Sequence, residues 1–241
     1  MSDARISWSK TALLTSVVDD FFDVGGSKEE QENLLALMEK YALYTTVNEI
    51  GAKASALQGH DITKYLLETM SLQFDAQIAV ARYIETEAEW QRSQYVPKFE
   101  EYMECGVTSL THGATVISGM FFIGVKLTDD IIKHQEYNEI FRLVGTCGRL
   151  LNDIRGIERE AMDGKLTNDV SLLARESGGC MSIQEAKMEA QKRVDTARRK
   201  LLKLVLREGA IPRPCKQLFW KMCKNLHLLY YSHTLPYGIR I

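Results

Sequence analysis

Helix-period apolar spacing runs through most of this chain, and the strict alternation of a half-buried strand is scarce. Helix start signals recur. Ser27-Lys28-Glu29-Glu30, Thr86-Glu87-Ala88-Glu89 and Ser182-Ile183-Gln184-Glu185 each fit the S/T-x-x-E capping box, in which side chains satisfy the free N–H groups of a first turn. Stop signals are equally legible. Gly25-Gly26 ends a first helix that carries an acidic cluster, and Gly178-Gly179 breaks the chain before a helix predicted from about Ile183 to Arg207. Ile211-Pro212-Arg213-Pro214 separates that helix from a last one, predicted near Cys215 to Tyr231. With no internal repeat and no low-complexity linker, the pattern predicts one all-α domain over residues 1–241. One stretch fits poorly. From Ser27 the helical signal continues through Leu34-Leu35-Ala36-Leu37-Met38 to Asn48 without a turn residue, and an uncapped helix of that length is unusual in a globular domain.

Composition narrows the class. Hydrophobic residues make up 45% and charged residues 26%, as in soluble globular proteins, and 241 residues suffice for one good core or two small ones. A net charge of −2 gives no basic surface for nucleic acid. No apolar run is long enough to cross a bilayer, and Met1–Ile6 contains no signal-peptide hydrophobic core. The five cysteines (105, 147, 180, 215 and 223) form no C-x-x-C pair, which fits structural thiols in a reducing compartment. The five histidines show no zinc-type spacing.

Two acidic constellations carry the chemistry. In Asp19-Asp20-Phe21-Phe22-Asp23, a helix would place Asp19 and Asp23 four residues apart on one face, with Asp20 turned away. Two stacked carboxylates repel unless a cation lies between them, and hard divalent metals take such oxygens together with substrate phosphates. A solvated acidic turn is the simpler alternative. The apolar run Ala12-Leu13-Leu14 and Val17-Val18 before it, and Phe21-Phe22 within it, favour the mouth of a cavity. Downstream, Asn152, Gly156 and Glu160 stand at i, i+4 and i+8 on one helix face, where an amide oxygen and a carboxylate could hold another cation, with a water beside the small Gly156. Arg149 lies on a similar face and could bind diphosphate oxygens. Alone, this second cluster reads better as an ordinary charged helix with Arg–Glu pairs.

Together, D-D-F-F-D and N-D-x-x-G-x-x-x-E resemble a plant class I terpene synthase. Further stretches resemble the ent-kaurene synthase-like branch: Ser7-Trp8-Ser9-Lys10, Asn48-Glu49-Ile50-Gly51, Thr86-Glu87-Ala88-Glu89-Trp90 and Leu228-Leu229-Tyr230-Tyr231-Ser232-His233-Thr234. The resemblance implies the class I helical bundle, as an incomplete α domain. It implies a C-terminal metal-binding domain over 1–241 that lacks N-terminal helices and upstream domains. The uninterrupted 27–48 run, Thr69–Asp75 and the tail from Leu235 depart from the family pattern and suggest a truncated or spliced version.

The implied activity is that of a lyase: Mg²⁺-dependent ionisation of a copalyl diphosphate, ent or syn, and cyclisation to a polycyclic diterpene olefin with release of diphosphate. The cofactor is Mg²⁺, about three ions, with Mn²⁺ able to stand in. Asp19, Asp23, Asn152 and Glu160 are the implied catalytic ligands, with Gly156 in the metal motif. Arg149, Asp20, Thr115 and Phe22 fall on the substrate side. Phe22, Tyr44, Phe121 and Phe122 could wall a dry cavity, or simply pack helices. Thr115, in His112-Gly113-Ala114-Thr115-Val116, could favour early proton loss, or hydrogen-bond a carbonyl at a kink. A sesquiterpene synthase and a non-catalytic fragment stand as alternatives. The expected partner is an isoprenoid diphosphate, with no nucleic acid and no membrane span, and with homo-oligomers formed through exposed helices. The family implies a plastid location; without a transit peptide the chain itself would be cytoplasmic.

Overall fold

The structure, a computed structural model, describes residues 5–6, 9, 21, 27, 29–30, 33, 52–57, 59, 90, 93–109, 116, 119–120, 123, 125, 128–165 and 167–231. Among these residues every regular element is helical, as the periodicity predicts. Two compact units form. One comprises residues 1–81, 111–133 and 236–241, the other residues 82–110 and 134–235.

In the first unit, the predicted capping box at Ser27 is present. Ser27 Oγ accepts from Glu30 N at 3.3 Å, and Glu30 Oε2 accepts from Ser27 N at 2.9 Å. Residues 52–57 are helical around the fully buried Ala54. Gly59, at φ 71°, closes them by donating from its N–H to the Ser55 carbonyl. Val116 and Met120 are buried, and Asp129–Ile132 is a single helical turn. Phe21, within D-D-F-F-D, is helical and half-buried. The rest of that motif, the Gly25-Gly26 stop, the 86–89 capping box and most of the 27–48 run lie outside the described residues.

The second unit is built around one long helix. It contains α1 (Phe99–Ser109), α2 (Gln135–Met162), α3 (Asp169–Glu176), α4 (Ile183–Leu206) and α5 (Arg213–Tyr231). Helix α2 has 28 residues, about 42 Å. The other four pack around it, so it buries apolar groups on more than one side: Tyr137, Ile140, Val144, Leu150, Leu151 and Ile157. Where α1 crosses α2 the backbones come close. A Cβ on Gly145 would sit 2.9 Å from Val107, so only glycine fits there. Tyr137 and Phe219 join α2 to α5 edge to face, with ring centres 5.4 Å apart.

Predicted boundaries hold closely. Helix α4 starts on the Ser182–Glu185 capping box, and Gly178 and Gly179 both take positive φ before it. Helix α5 starts at Arg213, two residues earlier than predicted, because Pro214 falls in the first turn, where its missing N–H costs nothing. The Pro212 carbonyl accepts from Cys215 N and Lys216 N, so this segment opens the helix as well as separating it. All five cysteines are free, with Cys147, Cys215 and Cys223 in the core.

The N-terminal end of α2 is held by a buried ion pair. Lys216 and Glu136 are 1% and 6% exposed, and Nζ lies 2.6 Å from Oε1. The ammonium also donates to the carbonyls of Leu204 and Arg207, at 3.2 Å each, capping the end of α4. Glu136 Oε2 accepts from Ile211 N at 3.0 Å. Burial alone would raise the Glu136 pKa, but Lys216, the Ile211 amide and Arg207 outweigh it and hold the carboxyl below its usual range. The resulting stability is present above the ordinary carboxylate range and is lost as pH falls through the lowered pKa.

Lys216→Met leaves the Glu136 charge with only the exposed Arg207 and the Ile211 amide, and should lower the unfolding free energy by about 3 kcal/mol in urea titration at neutral pH. Combining it with Glu136→Gln should recover more than half of that loss, since the amide oxygen still accepts from Ile211. A loss under about 1 kcal/mol for Lys216→Met would show that the ammonium is not what holds this end of α2.

Candidate functional site

The second half of α2 carries the downstream acidic motif on successive turns. Gly156 and Glu160 are buried and Asn152 is half-buried. Glu158 is exposed and ion-paired with Lys187 of α4. Helical pitch produces this division: positions i, i+4 and i+8 share a face, and i+6 points away from it.

Asp153 is 1% exposed and points into the protein. Its Oδ2 accepts from the Tyr102 hydroxyl of α1 at 2.6 Å and from Asp169 N, at the start of α3, at 3.0 Å. Arg149 Nη1 lies 3.6 Å from its Oδ1. The same guanidinium sits 5.8 Å over the Tyr102 ring and donates from Nε to the Gly106 carbonyl at 3.4 Å. The arginine that the sequence offers to diphosphate oxygens is therefore seated between α1 and α2, beside Asp153.

Glu160 folds back along its own helix. Its Oε1 lies 2.5 Å from where a Cβ on Gly156 would be, so the carboxylate itself fills the place expected for a water. Oε2 accepts from Asn168 Nδ2 at 2.8 Å. Burial, and then the charge on Asp153, push the Glu160 carboxyl upward; Asn168, Lys165 and Arg159 offset this only in part. Asp169 is fully buried, and neither of its carboxyl oxygens has a hydrogen-bond partner among the described residues. Burial, followed by repulsion from Asp153, raises its pKa well above the usual range, against the pull of Arg149.

Three carboxyl groups are thus buried here: Arg149 serves Asp153 and Asp169, while among the described residues Glu160 is ion-paired only with the exposed Arg159, whose Nη2 lies 3.8 Å from its Oε1. An under-neutralised Glu160 carboxylate on the same helix face as the half-buried Asn152 fits the chemistry of a divalent cation. Among the described residues no group of three His, Cys, Asp or Glu is placed to hold a metal by itself. The other half of the predicted ligand set, Asp19 and Asp23, lies outside the described residues, as do Asp20, Phe22 and Thr115. So do the candidate wall residues Tyr44, Phe121 and Phe122.

Three residues that support the motif were not singled out from the sequence: Tyr102, Asn168 and Asp169. Asn168 carries a signal, since an asparagine shortly after Gly164 and before Val170-Ser171-Leu172-Leu173 is an N-cap signature. Tyr102 carries none, because its partner is 51 residues away.

Comparison with known proteins agrees with the motifs. The sequence profile of the terpene synthase family, metal binding domain, matches residues 1–200. An ent-cassa-12,15-diene synthase of Oryza sativa subsp. indica is 61% identical over 96% of this chain and 30% of its own length. A chloroplastic ent-kaur-16-ene synthase of Oryza sativa subsp. japonica is 56% identical over 97% of this chain and 32% of its own length. The chain therefore spans about 30% of the relatives that it matches. Among solved structures, isoprene synthase from grey poplar leaves (Populus x canescens), in complex with three Mg²⁺ ions and dimethylallyl-S-thiolodiphosphate, superposes with a TM-score of 0.79 at 23% identity. That match covers 98% of this chain and 47% of that one, and shows a shared all-helical fold. Among the described residues no helix is long and apolar enough to cross a membrane. With a family profile covering most of its length and an acidic motif housed on the central helix, the chain belongs to the terpene synthase family and carries its metal binding domain.

Proposed function

We propose that this chain supplies the class I step of a labdane-related diterpene synthase: ionisation and cyclisation of a copalyl diphosphate to a pimaradiene-, kaurene- or stemarene-type olefin, with release of diphosphate. One observation carries the reading. D-D-F-F-D at 19–23 precedes N-D-x-x-G-x-x-x-E at 152–160 in a chain whose rice relatives are named for ent-cassadiene and ent-kaurene formation. Those names make the ent isomer the first substrate to test. The chloroplastic kaurene synthase supports a plastid setting.

In this reading Asp19, Asp23, Asn152 and Glu160 would hold Mg²⁺, which supplies the positive charge that a departing diphosphate needs. The Mg²⁺ and thiolodiphosphate named for the poplar isoprene synthase structure support that choice of ion. Asp20, one residue along from Asp19, would act behind the ligating pair and orient it. Arg149 is the candidate hydrogen-bond donor to diphosphate oxygens, and Phe22 and Thr115 would lie on the hydrocarbon side. A dry, apolar enclosure protects a carbocation from water and strengthens every charge interaction within it.

Incubating the full chain with Mg²⁺ and, in separate reactions, geranylgeranyl, ent-copalyl and syn-copalyl diphosphate tests the substrate. The expected outcome is a diterpene olefin from ent-copalyl diphosphate by gas chromatography–mass spectrometry, and none from geranylgeranyl diphosphate. No olefin from either copalyl isomer would overturn the proposal. In the active protein, Asp19→Ala and Asp23→Ala should each lower kcat/KM by at least about 100-fold, with Asp20→Asn milder. Glu160→Ala should raise the Mg²⁺ concentration for half-maximal rate strongly, whereas Glu158→Ala, which removes only an exposed ion pair, should leave it unchanged. The reverse ranking would show that the wrong face of α2 had been chosen.

A further inference from the structure

We propose that Asn168 is the positioning residue of the downstream metal motif, its side-chain amide holding the Glu160 carboxylate in the orientation that meets a divalent cation. The inference rests on Glu160 as a ligand, as the proposed function has it. Asn168 is 1% exposed and is fixed at both ends of its amide. Its Oδ1 accepts from Val170 N at 2.9 Å, which caps α3. Its Nδ2 donates to Glu160 Oε2 at 2.8 Å and to the Asp153 carbonyl at 3.1 Å.

No other setting of this amide satisfies the same groups. Turned over, it would set Oδ1 against a carboxylate and a carbonyl, and its NH₂ against the Val170 N–H. One amide proton fixes one lobe of Glu160 Oε2. The carboxylate still has acceptor capacity for a cation, because an ionised carboxyl offers about four lone-pair sites. Glu160 also packs over the bare Cα of Gly156, with Arg159 Nη2 3.8 Å from its Oε1, so the Asn168 amide is the buried contact on its other oxygen. An outer partner of this kind sets the angle at which a ligand meets a metal, and removing one typically costs about 10–100-fold in metal affinity.

A purely structural role, capping α3, predicts something different, and substitution separates the two. Asn168→Ser keeps a good helix cap but is too short to reach Glu160. Asn168→Thr does the same with a second capping hydroxyl. Two readouts are needed on the full chain: thermal melting without metal, and calorimetric titration of Mg²⁺ in the presence of inorganic diphosphate. The expected result is near-wild-type melting for at least one variant, with Mg²⁺ affinity weakened about 10–100-fold. Glu160→Gln, measured alongside, should weaken it at least as much. Unchanged Mg²⁺ affinity in Asn168→Ser, with Glu160→Gln impaired, would overturn the positioning role. So would failure of both capped variants to fold, since the residue would then serve the fold. If Glu160→Gln itself left Mg²⁺ binding unchanged, the failure would lie with Glu160 as a ligand.

Discussion

A carboxylate sealed inside a protein must find donors, and Asp153 finds them on every side: the Tyr102 hydroxyl from α1, the first backbone N–H of α3 and the Arg149 guanidinium from its own helix. Those demands dictate how three helices meet. The α1 contact fixes the face of α2 that turns inward. The α3 contact fixes where the chain resumes helical structure after α2 ends. The neighbouring Asn152 is left on a different face, in line with Gly156 and Glu160 one and two turns further on. Structural and chemical residues thus alternate along one helix, and neither set can rotate without the other.

The opposite end of α2 is pinned by different means. Lys216 and Glu136 close a small polar knot that includes the last carbonyls of α4 and the Ile211 amide. Every proton of the ammonium has an acceptor, which is what makes a charge tolerable at that depth. With both ends anchored, the central helix serves as a rigid mount, and rigid mounts hold ligand geometry better than loops do.

Much of this was legible in the sequence because much of it is local. The Ser182–Glu185 box, the Gly178-Gly179 break and the i, i+4, i+8 face depend on residues a turn or two apart. What stayed hidden was non-local or ran against expectation. The Tyr102–Asp153 bond spans 51 positions, and nothing near Tyr102 announces it. Lysine is seldom fully buried, and nothing in the pattern around Lys216 marks it as a core residue. Arg149 is engaged by Asp153, a residue that pattern alone does not rank above its neighbours. Asn168 lay within reach of a capping argument. Its second bond, to Glu160, depends on the turn between α2 and α3, which periodicity does not encode.

The bare Cα at position 156 changes the denticity available to this motif. A hydroxyl-bearing residue there would bring an oxygen of its own and push the glutamate outward, so that two side chains could divide the coordination. With glycine, the glutamate lies back into the vacated space and the helix offers fewer oxygens per turn. Any ion held here would keep more of its water or lean harder on ligands from elsewhere in the chain. In a metal-bound state, residue 156 would then set how tightly an ion is dehydrated, independent of how many acidic residues the motif contains.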